Sequence, residues 1–379
     1  MSGSCKINGN TERVYFDCFD WLRFAGCLLI LVHHFDVLCN YLLPLDRIPF
    51  LHFAILNGQQ VVVLFFALSG FCIAHNYRNR VLKREVRIGA FAYKHFMHFL
   101  SLILVTLPAT AVMEIIMWRA GVREVPNAFE FILEILGLRT GYNITNSFGY
   151  NAPMWFINVL LLLYLIYYVI TYLCKTRTKY IVICLILTVF ALSQADYASF
   201  AFFIFEQPVV IGMLGFFAGV LLYELYDYYK ESRAAMKRLS IMFIVLLAAG
   251  IAVIFANIHW FAPDAGLVAA ETNDLFGRIR VTLLVLIWIP LIFLGAQIRY
   301  PQKKRLRRVS SWLGKYATSI YIWHYPVLYI IYPLSLIGVY SWTMGVCAVS
   351  LIAVFAVAAV SCAFLEKRME RGVKAFWKK

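Results

Sequence analysis

The sequence predicts an all-α, polytopic membrane protein with about ten transmembrane helices, and three observations predict it. Hydrophobic residues make up 62% of the chain and aromatics 17%, with a mean hydropathy of +0.75. A soluble globular domain holds nearer about 45–50% apolar residues. The apolar residues also gather into ten segments, roughly 22–43, 58–77, 96–118, 153–173, 180–196, 207–226, 240–257, 279–298, 314–335 and 343–365, close to the length that crosses a bilayer as a helix. Finally, the cations avoid alternate loops. Of 35 Lys and Arg, 27 lie in the set formed by the N-terminus, 78–95, 174–179, 227–239, 299–311 and the C-terminus. Six lie on the other side (Arg47, Arg119, Arg123, Arg139, Arg278 and Arg280), and two, Arg23 and Lys315, fall within spans or at their edges. The positive-inside rule then places both termini in the cytoplasm, in a plasma (inner) membrane protein. The net charge of +15 is accounted for by topology and lipid headgroups, so no nucleic-acid partner is expected.

The first span carries the most chemistry. It reads Phe19-Asp-Trp-Leu-Arg-Phe-Ala-Gly-Cys-Leu-Leu-Ile-Leu-Val-His-His-Phe35. Arg23 and Asp20 interrupt its start and no small-residue cleavage site follows, so it does not read as a cleavable signal. Eleven steps of about 100° return a helix to within about 20° of its starting face, so Arg23 and His34 point the same way, about 16 Å apart along the axis. An arginine inside a membrane helix costs about 3 kcal/mol or more, which makes a functional role the default hypothesis. His33 points about 100° away from that face, and Asp36 is too close in sequence to face His34 on one helix.

The remaining segments add less. The longest outward stretch, 119–152, is too short for an independent domain and fits a re-entrant or lid element. It contains an Asn143-Ile-Thr145 sequon. In the sixth span, Gly212, Gly215 and Gly219 are spaced for close helix packing. In the ninth, Tyr321 lies one turn before His324, and Pro326 frees a backbone carbonyl one turn earlier, predicting a locally irregular helix. Nine cysteines lie scattered without zinc or disulfide spacing, so no metal site is expected. No linker composition divides the chain, and residues 1–379 read as a single integral-membrane domain.

Four motifs in order carry a family resemblance: Asp20-Trp-Leu-Arg-x10-His34, Phe65-Phe-Ala-Leu-Ser-Gly-Phe71, Tyr316-Ala-Thr-Ser-Ile-Tyr-Ile-Trp-His-Tyr-Pro326 and Phe364-Leu-Glu366. Together they resemble the membrane acyltransferase-3 family, which includes the O-acetyltransferases of bacterial surface polysaccharides and whose usual topology is ten spans with cytoplasmic termini. The resemblance implies an acetyl-CoA-dependent O-acetyltransferase that moves an acyl group from cytoplasmic acyl-CoA, its donor substrate, to a hydroxyl of a glycan or glycolipid. A sugar hydroxyl is a poor nucleophile until a base removes its proton, and histidine suits that task near neutral pH. His34 is therefore the expected general base. Arg23 either pairs with Asp20 or binds donor groups through its planar fork. Lys94 and His95 are expected to hold the donor with Arg23, and a crevice near Trp155, Asn158 and His324 to receive the acceptor. Tyr321 with His324 either lines the acyl tunnel or makes an interhelical hydrogen bond, and Ser69-Gly70 either lets a substrate approach the backbone or permits close helix packing.

The chain departs from the family pattern twice. The third span opens Tyr93-Lys-His-Phe-Met-His-Phe-Leu100 where many members carry an arginine cluster and proline. Lysine supplies a point charge to phosphate but no bidentate geometry. Position 160, five residues after Trp155, is leucine where many members have glutamate, as in the family's WF/WY branch, so His34 must find another partner. Two other classes stay open on the residues alone: a transporter or permease, with Arg23 and His34 on an ion path, and a non-catalytic relative acting as a scaffold.

Overall fold

The computed structural model describes residues 15–38, 53, 58–138, 150–174, 176–194, 201–202, 205–256, 280–298, 304–336 and 343–376. They form the helices α1 (Asp17–Leu38), α2 (Val61–Leu82), α3 (Ile88–Arg119), α4 (Ala128–Ile135), α5 (Trp155–Leu173), α6 (Arg177–Ser193), α7 (Gln207–Tyr229), α8 (Arg233–Ala256), α9 (Ile289–Gly295), α10 (Lys304–Leu336), α11 (Met344–Val360) and α12 (Glu366–Phe376). A two-residue antiparallel ladder, Ala201 to Glu206 and Phe202 to Phe205, precedes α7.

The chain is an all-α, multi-pass membrane protein. Helix stands at each of the ten predicted segments, and among the described residues seven helices are long and apolar enough to cross a bilayer. The other three segments miss that test for visible reasons. α6 has 17 residues, the apolar helix at Arg280–Gly295 is shorter still, and α10 is long enough but intersperses Tyr, Ser, Trp, His and Pro among its apolar residues. The Asn143-Ile-Thr145 sequon lies outside the described residues.

Small residues set the closest approach. A Cβ added at Gly70 would stand 1.9 Å from the Phe216 carbonyl oxygen, and one at Gly219 would stand 2.0 Å from that of Ala67. The backbones of α2 and α7 therefore touch at both sites, as small residues allow between membrane helices. Gly70 is thus a packing residue, as are the glycines of α7. Beyond them, Arg78 of α2 donates to both Glu224 oxygens at 2.9 and 3.0 Å and to Asp227 Oδ2 at 2.7 Å. Arg177 of α6 reaches Glu224 Oε2 at 2.7 Å, so one buried ion cluster ties three helices together.

Two π-turns interrupt the last third of the bundle, at Leu284–Trp288 and Ser361–Leu365. The first runs into α9, where Pro290 has no N–H to give an α-helical ladder. The second carries Glu366 into the interior, where Ser319 donates to it at 2.5 Å and Ser361 at 2.9 Å. The two C-terminal motifs of the sequence thus meet in one hydrogen-bonded cluster between α10 and the start of α12.

Candidate active site

The site is built on α1, α3, α5 and α10, with a wall contributed by residues 120–138 and 150–154. These residues pack onto the bundle. Asn127 caps α4 by accepting from Phe129 N at 2.9 Å. The helix ends at Gly137 with φ +71°, where Gly137 N donates to Glu134 O at 3.1 Å and Leu138 N to Leu133 O at 2.8 Å, the left-handed closure that glycine permits. Ile135 packs on the pair Met97 and Leu100 of α3, and Gly137 sits against Asn158 of α5. α4 is therefore tucked down between α3 and α5. Its buried Glu134 accepts from the backbone N–H groups of Tyr150 and Asn151 at 2.8 and 2.9 Å, which fixes the turn leading into α5.

Against this turn stands α10. The Tyr321 hydroxyl donates to Pro153 O at 2.7 Å, and Asn151 Nδ2 donates to Ile322 O at 3.2 Å. The expected irregularity of the helix around Pro326 is absent: α10 is continuous from Lys304 to Leu336. The carbonyl that Pro326 deprives of its backbone partner is that of Ile322, and Asn151 supplies the missing donor.

A cavity of about 1000 Å³ opens between these elements, at the end of the bundle where α1 closes and α2 begins. His34 lines it, half-buried, together with Ile30, Trp155, Tyr321, Tyr325 and Glu114. The His34 ring lies 5.2 Å from that of the buried His324 and 6.2 Å, edge on, from that of Tyr325. Arg123 donates to the Tyr325 hydroxyl at 3.0 Å and pairs with buried Glu114. Burial alone would lower the pKa of Arg123, but Tyr325 and Glu114 outweigh it and push it up, so this guanidinium is a permanent charge at the rim. Gln60, Arg280, Asn127 and Glu130 complete a polar lining around the aromatic rings. Such a surface, with flat apolar faces and scattered donors and acceptors, suits a polyhydroxylated ligand.

Arg23 belongs to a second cluster toward the other end of α1. Its Nη1 meets Asp20 Oδ1 at 3.0 Å and its Nη2 reaches Cys72 Sγ of α2 at 3.5 Å. Asp20 also accepts from the Tyr15 hydroxyl and lies against Gly314 of α10. The ion pair with Asp20, one of the two readings of Arg23 open in the sequence, is present. Tyr164 of α5 lies near Ser69, Cys72 and Arg23. The His95 ring stacks at 4.6 Å from Tyr164 and lies 5.5 Å from Tyr77, and Lys94 Nζ donates to the Tyr77 hydroxyl at 2.7 Å. Arg23, Ser69, Lys94 and His95 therefore converge around Tyr77 and Tyr164. Asn158 parts company with Trp155: it lines a smaller, largely apolar pocket of about 230 Å³ together with His95 and Tyr164.

Between the two clusters, Gly26 gives space to Phe65, whose ring lies 6.0 Å from Phe156 and 6.1 Å from Tyr321. Three aromatic rings thus separate the His34 cavity from the Arg23 cluster. Sequence reasoning missed Glu114, Arg123, Glu134 and Asn151. Glu114 and Glu134 had a signal, as single carboxylates within apolar runs. Arg123 and Asn151 had none: each reads as an ordinary loop residue, and the α10 groups they meet, Tyr325 and Ile322 O, lie 202 and 171 residues away. Among the described residues, no group of three His, Cys, Asp or Glu is placed to hold a metal ion.

Comparison with known proteins gives one match. No curated protein and no solved structure is found to be similar, whereas a family model described as an acyltransferase domain matches residues 16–364. The matched span takes in α1 with both clusters, the cavity, and all but the last two residues of the Phe364-Leu-Glu366 motif, so this chain belongs to the membrane acyltransferase-3 family.

Proposed function

We propose that this acyltransferase is an O-acetyltransferase that uses acetyl-CoA and acylates a hydroxyl of a glycan or glycolipid, with His34 as general base. The observation that carries the reading is His34 itself, an imidazole lining a wide polar and aromatic cavity on the same helix face as Arg23. The acceptor hydroxyl enters the cavity and gives its proton to His34 as its oxygen attacks the thioester carbonyl. The tetrahedral adduct collapses to the ester and expels the coenzyme A thiolate, which takes the proton back from the His34 imidazolium. The acyl group stays on small molecules throughout, so direct transfer needs no enzyme nucleophile.

The donor approaches from the Arg23 end, where Lys94 and Arg23 offer cations and Tyr77, Tyr164 and His95 offer flat surfaces along a thin arm. Its thioester has to pass Phe65, Phe156 and Tyr321 to meet the acceptor. Tyr321 and His324 direct their protons to backbone carbonyls, which argues against either as the stabiliser of the oxyanion. The positive-inside pattern supports cytoplasmic termini in the plasma membrane, which would put the donor cluster inside and the cavity outside.

The test uses purified protein in micelles with radiolabelled acetyl-CoA and a membrane glycolipid fraction. Label should enter the glycolipid, and His34→Gln should lower that transfer by about 100-fold or more. Undiminished transfer by the variant removes His34 from the chemistry. Labelled solute flux across vesicles without ester formation replaces the enzyme with a transporter.

A further inference from the structure

We infer that His324 is the positioning residue for His34, accepting the His34 ring N–H and so aiming the opposite nitrogen of that ring into the cavity. The inference rests on the reading of His34 as the base, and begins from His324 alone. Its Nδ1 lies 2.7 Å from Tyr321 O and 3.3 Å from Ile320 O. A carbonyl oxygen can only accept, so Nδ1 must carry the proton, and in a neutral ring Nε2 is then a bare lone pair. That atom is sealed from solvent and has no hydrogen-bond partner, in a side chain only 1% exposed. A buried acceptor without a donor is rarely left so.

A donor for it stands on the facing helix. The Tyr321 ring, 5.8 Å away, sends its hydroxyl to Pro153 O, and the Tyr325 hydroxyl accepts from Arg123 at 3.0 Å while its ring stacks on Tyr329. The remaining polar ring is His34, 5.2 Å between centroids and tilted by 32°. With the two rings this close, the single N–H of a neutral His34 serves as the donor to the His324 lone pair. Its other nitrogen is then unprotonated and faces the cavity, as a general base requires. When His34 takes the acceptor's proton, the new positive charge is shared with a neutral imidazole.

This arrangement does the work a carboxylate does in many histidine-dependent sites, and it answers the leucine at position 160. The charged and titratable groups around His34 are consistent with it. His33 is its neighbour on α1, Tyr325 belongs to α10, and Glu114, Arg123 and Arg280 line the cavity beyond. Glu114 is engaged by Arg123.

Two measurements test the proposal. In ring-labelled 15N-histidine protein, His324 should show the Nδ1–H tautomer with a hydrogen-bonded Nε2, and His324→Leu should shift the His34 ring signals. In the transfer assay, His324→Leu should lower kcat by about 10–100-fold with KM for both substrates unchanged, while His324→Gln, which keeps an acceptor near the Nε2 position, should restore most of the rate. An Nε2–H tautomer at His324, or a leucine variant with wild-type kcat, overturns it. Intact tautomer signals in a protein that transfers no acetyl group would sink the O-acetyltransferase reading and leave the histidine pair standing.

Discussion

Asn151 shows how a single side chain repairs what another breaks. Pro326 has no N–H for the carbonyl of Ile322 one turn earlier, and the Asn151 amide donates to that oxygen from the turn before α5. Asn151 is itself held by Glu134, which accepts from its backbone N–H. Replacing it by leucine leaves a buried carbonyl unsatisfied. Asn151→Leu should therefore lose about 1–3 kcal/mol of stability, read as a lowered unfolding midpoint in micelles. Asn151→Gln, which retains an amide, should lose less. A leucine variant as stable as the parent would show that Ile322 finds another donor. The sequence pointed to the proline and predicted a locally irregular helix; it carried no sign of a donor 171 residues away.

At the scale of the element, the α2–α7 contact depends on the absence of two methyl groups. Gly70 and Gly219 face carbonyl oxygens of the opposing helix at distances no Cβ can occupy. Because the obstacle is backbone rather than a flexible side chain, neither helix can yield locally. Gly219→Ala should destabilise by about 1–3 kcal/mol through overpacking, whereas Gly89→Ala, where an added Cβ meets nothing within 4 Å, should be neutral or better. Equal unfolding midpoints for the two variants would contradict the close approach. This element was legible: the spacing of Gly212, Gly215 and Gly219 already indicated close packing, because three- and four-residue steps fall on one face. The same rule placed Arg23 and His34 on one side of α1. It did not say that a wall of Phe65, Phe156 and Tyr321 divides them.

Across the whole molecule, the ends of the bundle are tied differently. Around Arg78, three helices share one buried cluster of Glu224, Asp227 and Arg177. Removing one member leaves the others charged and poorly solvated, so Arg78→Leu should destabilise by about 3–5 kcal/mol. The double variant Arg78→Leu with Glu224→Leu should recover part of that loss, since it removes charge of both signs. A double variant less stable than the arginine variant alone would assign Glu224 a role beyond pairing. At the opposite end, around the cavity, α4, the turn before α5 and α10 are linked through the Glu134 carboxylate and the hydrogen bonds to Pro153 O and Ile322 O, with the Arg123–Glu114 pair beside them.

The sequence by itself determined the membrane class, the helical segments and the family, because hydropathy, cation placement and the four motifs are local or periodic features of the chain. It also placed Arg23 and His34 on one face of the first helix, since eleven positions on a helix fix a face without any tertiary information. Only the tertiary structure decided which residues keep company. It set His95 and Asn158 beside one pocket and Trp155 in another. It drew Glu114, Arg123 and Asn151 into the walls of the site, and brought His324 against His34 across 290 residues of chain. The reason is physical: hydrogen bonds and ring contacts between distant segments depend on how helices pack, and spacing along the chain carries no record of it.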